Sequence, residues 1–169
     1  MRFILPVLML AAAPAAADVK VSETGFVVEN KAVAAAAPDA VWAALVAPAR
    51  YWNPDHSYSG KAANFTLDAK AGGCFCEALP DGGSVEHMRV VFAGPGSTLR
   101  LVGGLGPLQS EGVAATLTWA LKPVPNGTEI TQTYVVGGHM RFDVPATAPL
   151  VGQVLNEQLT RLAALFPKD

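Results

Sequence analysis

Along most of this chain apolar and polar residues alternate with a period of two, the pattern of half-buried strands. The first such run spans 25–33, GFVVENKAV. Others follow at 64–68, on both sides of Pro80-Asp81-Gly82-Gly83, at 98–102 after Gly94-Pro95-Gly96, and at 113–124 and 128–136 around Asn126-Gly127. Asp-Gly, Asn-Gly and Gly-Gly pairs between alternating runs are strong hairpin signals, so the pattern predicts an antiparallel sheet of about seven strands. Gly137-Gly138 is expected to end it.

Two stretches switch to helical spacing. Pro38-Asp39 opens the first, because proline suits the first helical position and the aspartate opposes the helix dipole. Val41, Trp42 and Leu45 give it an apolar side, Pro48 ends it, and 49–52 is expected to form a second short helix before Asn53-Pro54. The other stretch, 147–166, places Val151, Val154, Leu155, Leu159, Leu162 and Phe166 in one stripe, with Thr147 as N-cap and Pro149 in the first turn. A helix with that stripe must lie on something apolar, and only the sheet is large enough. The expected fold class is therefore α+β, a curved antiparallel sheet wrapped around a long C-terminal helix, with two short helices after the first strand. Between them, 55–60 is a polar and aromatic loop, and the glycine-rich stretch 101–112 is able to move as a lid would.

Reactive side chains concentrate in the hairpin at 72–91. Strand periodicity puts Cys74, Cys76, His87 and Arg89 on one face, and Phe75, Glu77, Glu86 and Met88 on the other. An odd loop or a bulge would turn one strand against its partner. The face bearing Phe75, Glu77, Glu86 and Met88 is favoured as the concave one, because Phe75, Met88, Val90 and Phe92 need burial more than Arg89 does.

Composition adds an expected destination. Arg2, the apolar run 3–9 and Ala15-Ala16-Ala17 have the form of a signal peptide over 1–17, leaving 18–169 as one domain. The apolar run is shorter than the roughly twenty residues of a membrane span. The mature chain is thus expected to be soluble, without a stable membrane anchor, and periplasmic or secreted. The 12 basic and 14 acidic residues become 11 and 14 once Arg2 is removed, a formal charge of −3, and no basic cluster interleaves with aromatics. That excludes nucleic acid as an expected partner. Export would favour a disulfide between the two cysteines. Geometry argues the other way, since two residues of an extended strand span roughly 6.6 Å, at the outer limit for such a bond. An intermolecular bond stays open.

The order of elements, together with Ala36-Ala37-Pro38-Asp39-Ala40-Val41-Trp42-Ala43-Ala44-Leu45, Tyr51-Trp52, Gly72-Gly73-Cys74-Phe75 and Asn126-Gly127-Thr128-Glu129-Ile130-Thr131, resembles the helix-grip fold of the START-like, or SRPBCC, superfamily. That superfamily includes polyketide cyclases and heat-shock ATPase activators. The cysteine pair and the signal segment are similar to those of exported bacterial members without a characterised function. The resemblance covers nearly all of the mature chain and implies a small apolar ligand held between sheet and last helix. It implies no cofactor and no catalytic positions.

Three sets of residues are candidates for the site. Glu77 and Glu86, side by side among apolar groups, would share a proton and raise one pKa, which suits acid and base catalysis in a cyclase, dehydratase or hydrolase. Cys74, Cys76 and His87 are zinc-type ligands, but three fall short of the four of a closed site and Arg89 repels a cation, so no metal is assigned. Trp52, His56, Tyr58, Trp119 and Tyr134 combine apolar bodies with polar tips and, with Phe75, Glu77, Glu86 and Met88, form the expected ligand-binding set. His139 could join them at the mouth. The leading expectation is an exported binder of a small hydrophobic or amphipathic molecule, monomeric or homodimeric, and the rival is an enzyme using Glu77 and Glu86. An activator of cytosolic chaperones is disfavoured by export.

Overall fold

The computed structural model describes residues 17–167. The expected signal segment lies outside the described residues apart from Ala17. Eight strands form one antiparallel sheet: β1 (Asp18–Ser22), β2 (Gly25–Ala34), β3 (Phe65–Leu67), β4 (Cys74–Ala78), β5 (Ser84–Gly94), β6 (Thr98–Val102), β7 (Gly112–Val124) and β8 (Gly127–His139). Their order is β1-β2-β8-β7-β6-β5-β4-β3. β3 to β8 follow one another as a meander, β2 joins beside β8, and β1 and β3 remain as edges, so the sheet is not closed.

Helix α1 (Pro38–Leu45) follows β2, and α2 (Val144–Ala163) is the last of the described elements. The sheet has eight strands instead of about seven, the extra one being the short β1, which pairs only with β2. In place of the second short helix expected at 49–52, the chain makes single 3-10 turns at Pro48–Arg50 and Pro54–His56, each started by a proline. β8 also runs on through Gly137-Gly138 to His139. Gly138 can do so because its φ of 133° suits glycine, and a Cβ there would strike the Gly112 carbonyl of β7. Helix α2 starts a turn before Thr147, with Asp143 in the N-cap position and Pro145 near its start.

The core follows the strand register. Val28, Tyr134, Leu117, Leu101 and Val90 are cross-strand neighbours on β2, β8, β7, β6 and β5, and all five are buried. This row fixes one face of the sheet as the inner one, since a slip of a single residue would expose it entirely. Ala148, Gly152, Leu155, Gln158, Leu159 and Leu162 are the buried stripe of α2. Gly152 brings the helix close to the sheet, as a Cβ there would sit 2.8 Å from Val19 and 3.7 Å from Val28. The helix thus rests on β1 and β2, leaving space between its free side and the inner face of β5.

Candidate functional site

The hairpin of β4 and β5 contains a register shift that decides the site. Phe75 pairs with Met88 but Cys76 pairs with Glu86, so His87 is an extra residue in β5. A bulge of this kind turns a side chain to the opposite face. His87 and Met88, neighbours in sequence, are therefore both buried on the inner side, while Glu86 lies outside, in an ion pair with Arg89. The expected pairing of Glu77 with Glu86 is corrected accordingly: the inward partner of Glu77 is His87. Phe92 is corrected as well, since a second shift beside Val91 leaves it 48% exposed.

The expectation for the cysteines is reversed as well. Cys74 and Cys76 are bonded to each other, with their Cα atoms 5.4 Å apart. The separation is shorter than an extended strand gives and falls within the range a disulfide accepts. The bond takes both sulfurs out of any ligand set, and His87 faces the other side of the sheet. Among the described residues no three His, Cys, Asp or Glu side chains converge on a metal position.

Glu77 is fully buried and its carboxylate is saturated. Oε2 receives the Tyr58 N–H at 3.2 Å and lies 2.9 Å from His87 Nε2, and Oε1 receives the Ser59 N–H. Burial pushes the carboxyl upward, but the Ser59, Tyr58 and His87 contacts outweigh it, and the pKa falls below its ordinary value. The raised pKa expected of a general acid is thus absent from Glu77. It ties the 55–60 loop to the sheet instead. Burial also lowers the pKa of His87, with Glu77 only partly offsetting it, so the imidazole is neutral at neutral pH. Its ring is held among Phe65, Phe75 and Tyr58, with centroids 5.1, 5.3 and 5.9 Å away.

A cavity of about 510 Å³ opens between this cluster and α2. Its buried end is made by Trp52, His87 and Leu155, its walls by Leu105, Val151 and Val154, and its rim by Asp55, Tyr58, Pro107 and Leu150. Polar contacts hold the mouth in shape. Trp52 Nε1 donates to the His56 carbonyl at 2.9 Å, His56 Nε2 lies 3.0 Å from Glu157, and Asn53 donates to Glu157 and Gln158 of α2. On the other side the Tyr134 hydroxyl donates to the Gly103 carbonyl and accepts the Leu105 N–H. Burial pushes its pKa up to about 12, against the Leu105 N–H, so the hydroxyl stays protonated. The glycine-rich stretch is thereby pinned at its start, and the Tyr58 hydroxyl reaches across to Gly106.

Of the sequence-derived set, Trp52, His56 and Tyr58 line this cavity, joined by His87 from the metal candidate. Phe75, Met88, Trp119 and Tyr134 are buried in the core behind it, Glu77 lies beneath His87, and Glu86 is outside. Phe75 and Trp119 border a separate void of about 10 Å³, room for one water at most. His139 lies at the end of β8 and does not line the cavity. Of the contributions from α2, Val151, Val154 and Leu155 were legible only as a packing stripe, Thr147 only as a cap, and Leu150 not at all. Glu157 and Gln158, which organise the mouth, carried no sequence signal beyond being polar beside that stripe.

The architecture defines an α+β protein with an open antiparallel sheet covered by a C-terminal helix. It is similar to protein MLL2253 from Mesorhizobium loti, with 20% identity, a TM-score of 0.60, and coverage of 82% of this chain and 95% of that one. It also resembles Mll3558 from Rhizobium loti (21% identity, TM-score 0.59, 82% and 94% covered) and CV1439 from Chromobacterium violaceum (19%, 0.57, 85% and 98%). At these identities the likeness is one of fold. No family model matches the sequence, and no curated protein does. No helix among the described residues is long and apolar enough to cross a membrane.

Proposed function

We propose that this chain is an exported START-like protein of helix-grip type that binds one small, mostly apolar molecule between α2 and the inner face of the sheet. The observation that carries the reading is the cavity itself. Its volume of about 510 Å³ lies in the range of small-molecule sites, its walls are apolar, and a few polar groups stand at fixed places within it. Tyr58 and Leu150, 55% and 58% exposed, make an apolar rim of the kind a lipophilic molecule meets on entry. The sheet order and the helix laid across it support the superfamily assignment, and the composition of 1–17 supports export to the periplasm or beyond.

Native mass spectrometry of the mature protein purified from its own host tests this. A small molecule retained in the gas phase is the expected result. An empty protein that also fails to bind a panel of lipophilic dyes would end the reading.

An acid-base enzyme is the second reading, favoured by one observation, the buried contact between Glu77 and His87 at the inner end of the cavity. It rests on those two residues and no longer on a carboxylate pair.

A further inference from the structure

We infer that the cavity selects apolar molecules bearing a hydroxyl group, a phenol or an alcohol, and takes them hydroxyl first, with that hydroxyl donating a hydrogen bond to Nδ1 of His87. The inference rests on the reading of the cavity as a binding site for small apolar molecules, and adds what such a molecule must carry.

The tautomer of His87 follows from its neighbour. Glu77 accepts two backbone N–H groups as well as contacting His87 Nε2, and a carboxylate so surrounded is ionised at neutral pH. It has no proton to give, so the proton between the two side chains belongs to Nε2. A neutral imidazole holds one proton, which leaves a lone pair on Nδ1. Among the described residues Nδ1 has no partner, and it is not sealed in the interior as Gln132 Nε2 is. His87 lines the cavity, and its ring cannot turn away because Phe65, Phe75 and Tyr58 pack around it.

Apart from Asp55 at the rim and Thr147 on the first turn of α2, the other polar side chains lining the cavity are already engaged. Trp52 Nε1 donates to the His56 carbonyl, the Ser57 hydroxyl donates to the Pro54 carbonyl, and His56 contacts Glu157. The inner end of the cavity therefore presents an acceptor without a donor. A ligand that displaces water from Nδ1 without offering a donor leaves that acceptor buried and unmatched, a cost that a ligand hydroxyl avoids. An ether, a ketone or a carboxylate would set lone pair against lone pair. An ammonium group could donate, but it would exchange its water for largely apolar walls and a single acceptor, Nδ1. A neutral hydroxyl on an apolar body fits both demands. Because His87 lies at the buried end and Tyr58 and Leu150 at the rim, the hydroxyl goes in and the apolar remainder lies toward the mouth.

The test compares 2-naphthol with 2-methoxynaphthalene, in which a methyl group replaces the donor hydrogen, by calorimetric titration of the mature chain at neutral pH. The naphthol should bind about tenfold more tightly, the ratio one neutral hydrogen bond gives. In His87→Phe, which keeps an aromatic ring among Phe65, Phe75 and Tyr58, the two should bind alike. Nitrogen-15 NMR of the unmutated protein gives a second readout, since the Nδ1 resonance of His87 should move with naphthol and stay in place with the ether. Equal affinities with an unmoved resonance would overturn hydroxyl selection while leaving the cavity reading intact. A preference that survives His87→Phe would overturn it too, by assigning the donor to another acceptor. Failure of both compounds to bind would remove the cavity reading, and the inference with it.

Discussion

Nε2 of His87 lies 2.9 Å from Oε2 of Glu77 because one extra residue in β5 turns the imidazole to the same side as the carboxylate of β4. The contact joins the sheet to the 55–60 loop, since the same carboxylate holds the N–H groups of Tyr58 and Ser59.

Removal of that carboxylate should be costly. Glu77→Ala leaves two backbone N–H groups and one imidazole N–H without their acceptor in a buried place. Stability should fall by about 3 kcal/mol, read from urea unfolding. Amide exchange at Tyr58 and Ser59 should accelerate, whereas Glu86→Ala, on the outer face, should leave both quantities nearly unchanged.

Acidification should destabilise the fold in two stages. Burial lowers the folded pKa of His87 below 6.5, so the unfolded chain takes up its proton first. The stability this contributes is present above pH 6.5 and is lost as pH falls through the folded value. For Glu77, burial pushes upward but the Ser59, Tyr58 and His87 contacts prevail, and the folded pKa lies below 4.5. Its contribution is present above pH 4.5 and is lost below that, as the folded carboxylate protonates. A melting temperature measured against pH should decline first below neutrality and again in stronger acid, and His87→Phe should abolish the first decline alone.

Filling the cavity should separate binding from folding. Val154 stands half-buried in the wall contributed by α2. Val154→Trp places an indole in existing space, so little overpacking is expected and the melting temperature should barely move. Binding of a lipophilic dye should weaken about tenfold or more, the loss of roughly 1.4 kcal/mol of contact.

The cysteines should be silent to thiol reagents. Alkylation of the unfolded chain should label neither Cys74 nor Cys76 until a reductant is added, and the unreduced mass should be lower by two hydrogens. Closing so small a loop constrains the unfolded chain little, so the Cys74→Ser, Cys76→Ser double variant should lose about 1–2 kcal/mol.

Much of the fold was legible because burial and periodicity agree in it. The run at 98–102 coincides with β6, and 25–33 differs from β2 only at its last residue. β1 escaped notice because five residues with a mostly exposed pattern carry little periodic signal. The region after α1 misled for a different reason. Pro48 and Pro54 each start a helical turn, but Pro54 keeps Asn53 extended and so stops the first turn from growing, and 3-10 turns stand where a helix was expected. Trp52, His56 and Tyr58 stood out as amphipathic side chains in a loop, and they meet at the cavity. The bulge was the feature periodicity could not supply. Inserting one residue changes which of Glu86 and His87 faces inward without changing composition, and only the competition of Phe75, Met88 and Val90 for the core decides it. The disulfide was hidden because its feasibility depends on a local contraction of β4, which brings the two Cα atoms to 5.4 Å.

The cavity draws its lining from residues 52–58, 87, 105–107 and 147–155, segments brought together by a sheet that pairs β2 with β8. The helix that covers it follows all eight strands in the described order, yet it settles on β1 and β2, with Gly152 against Val19 and Val28. Assembly therefore depends on contacts between distant parts of the chain, which makes for slow folding. Without α2, Val19 and Val28 lose the cover of that helix, and a chain cut before Val144 presents that apolar face to whatever holds it unfolded.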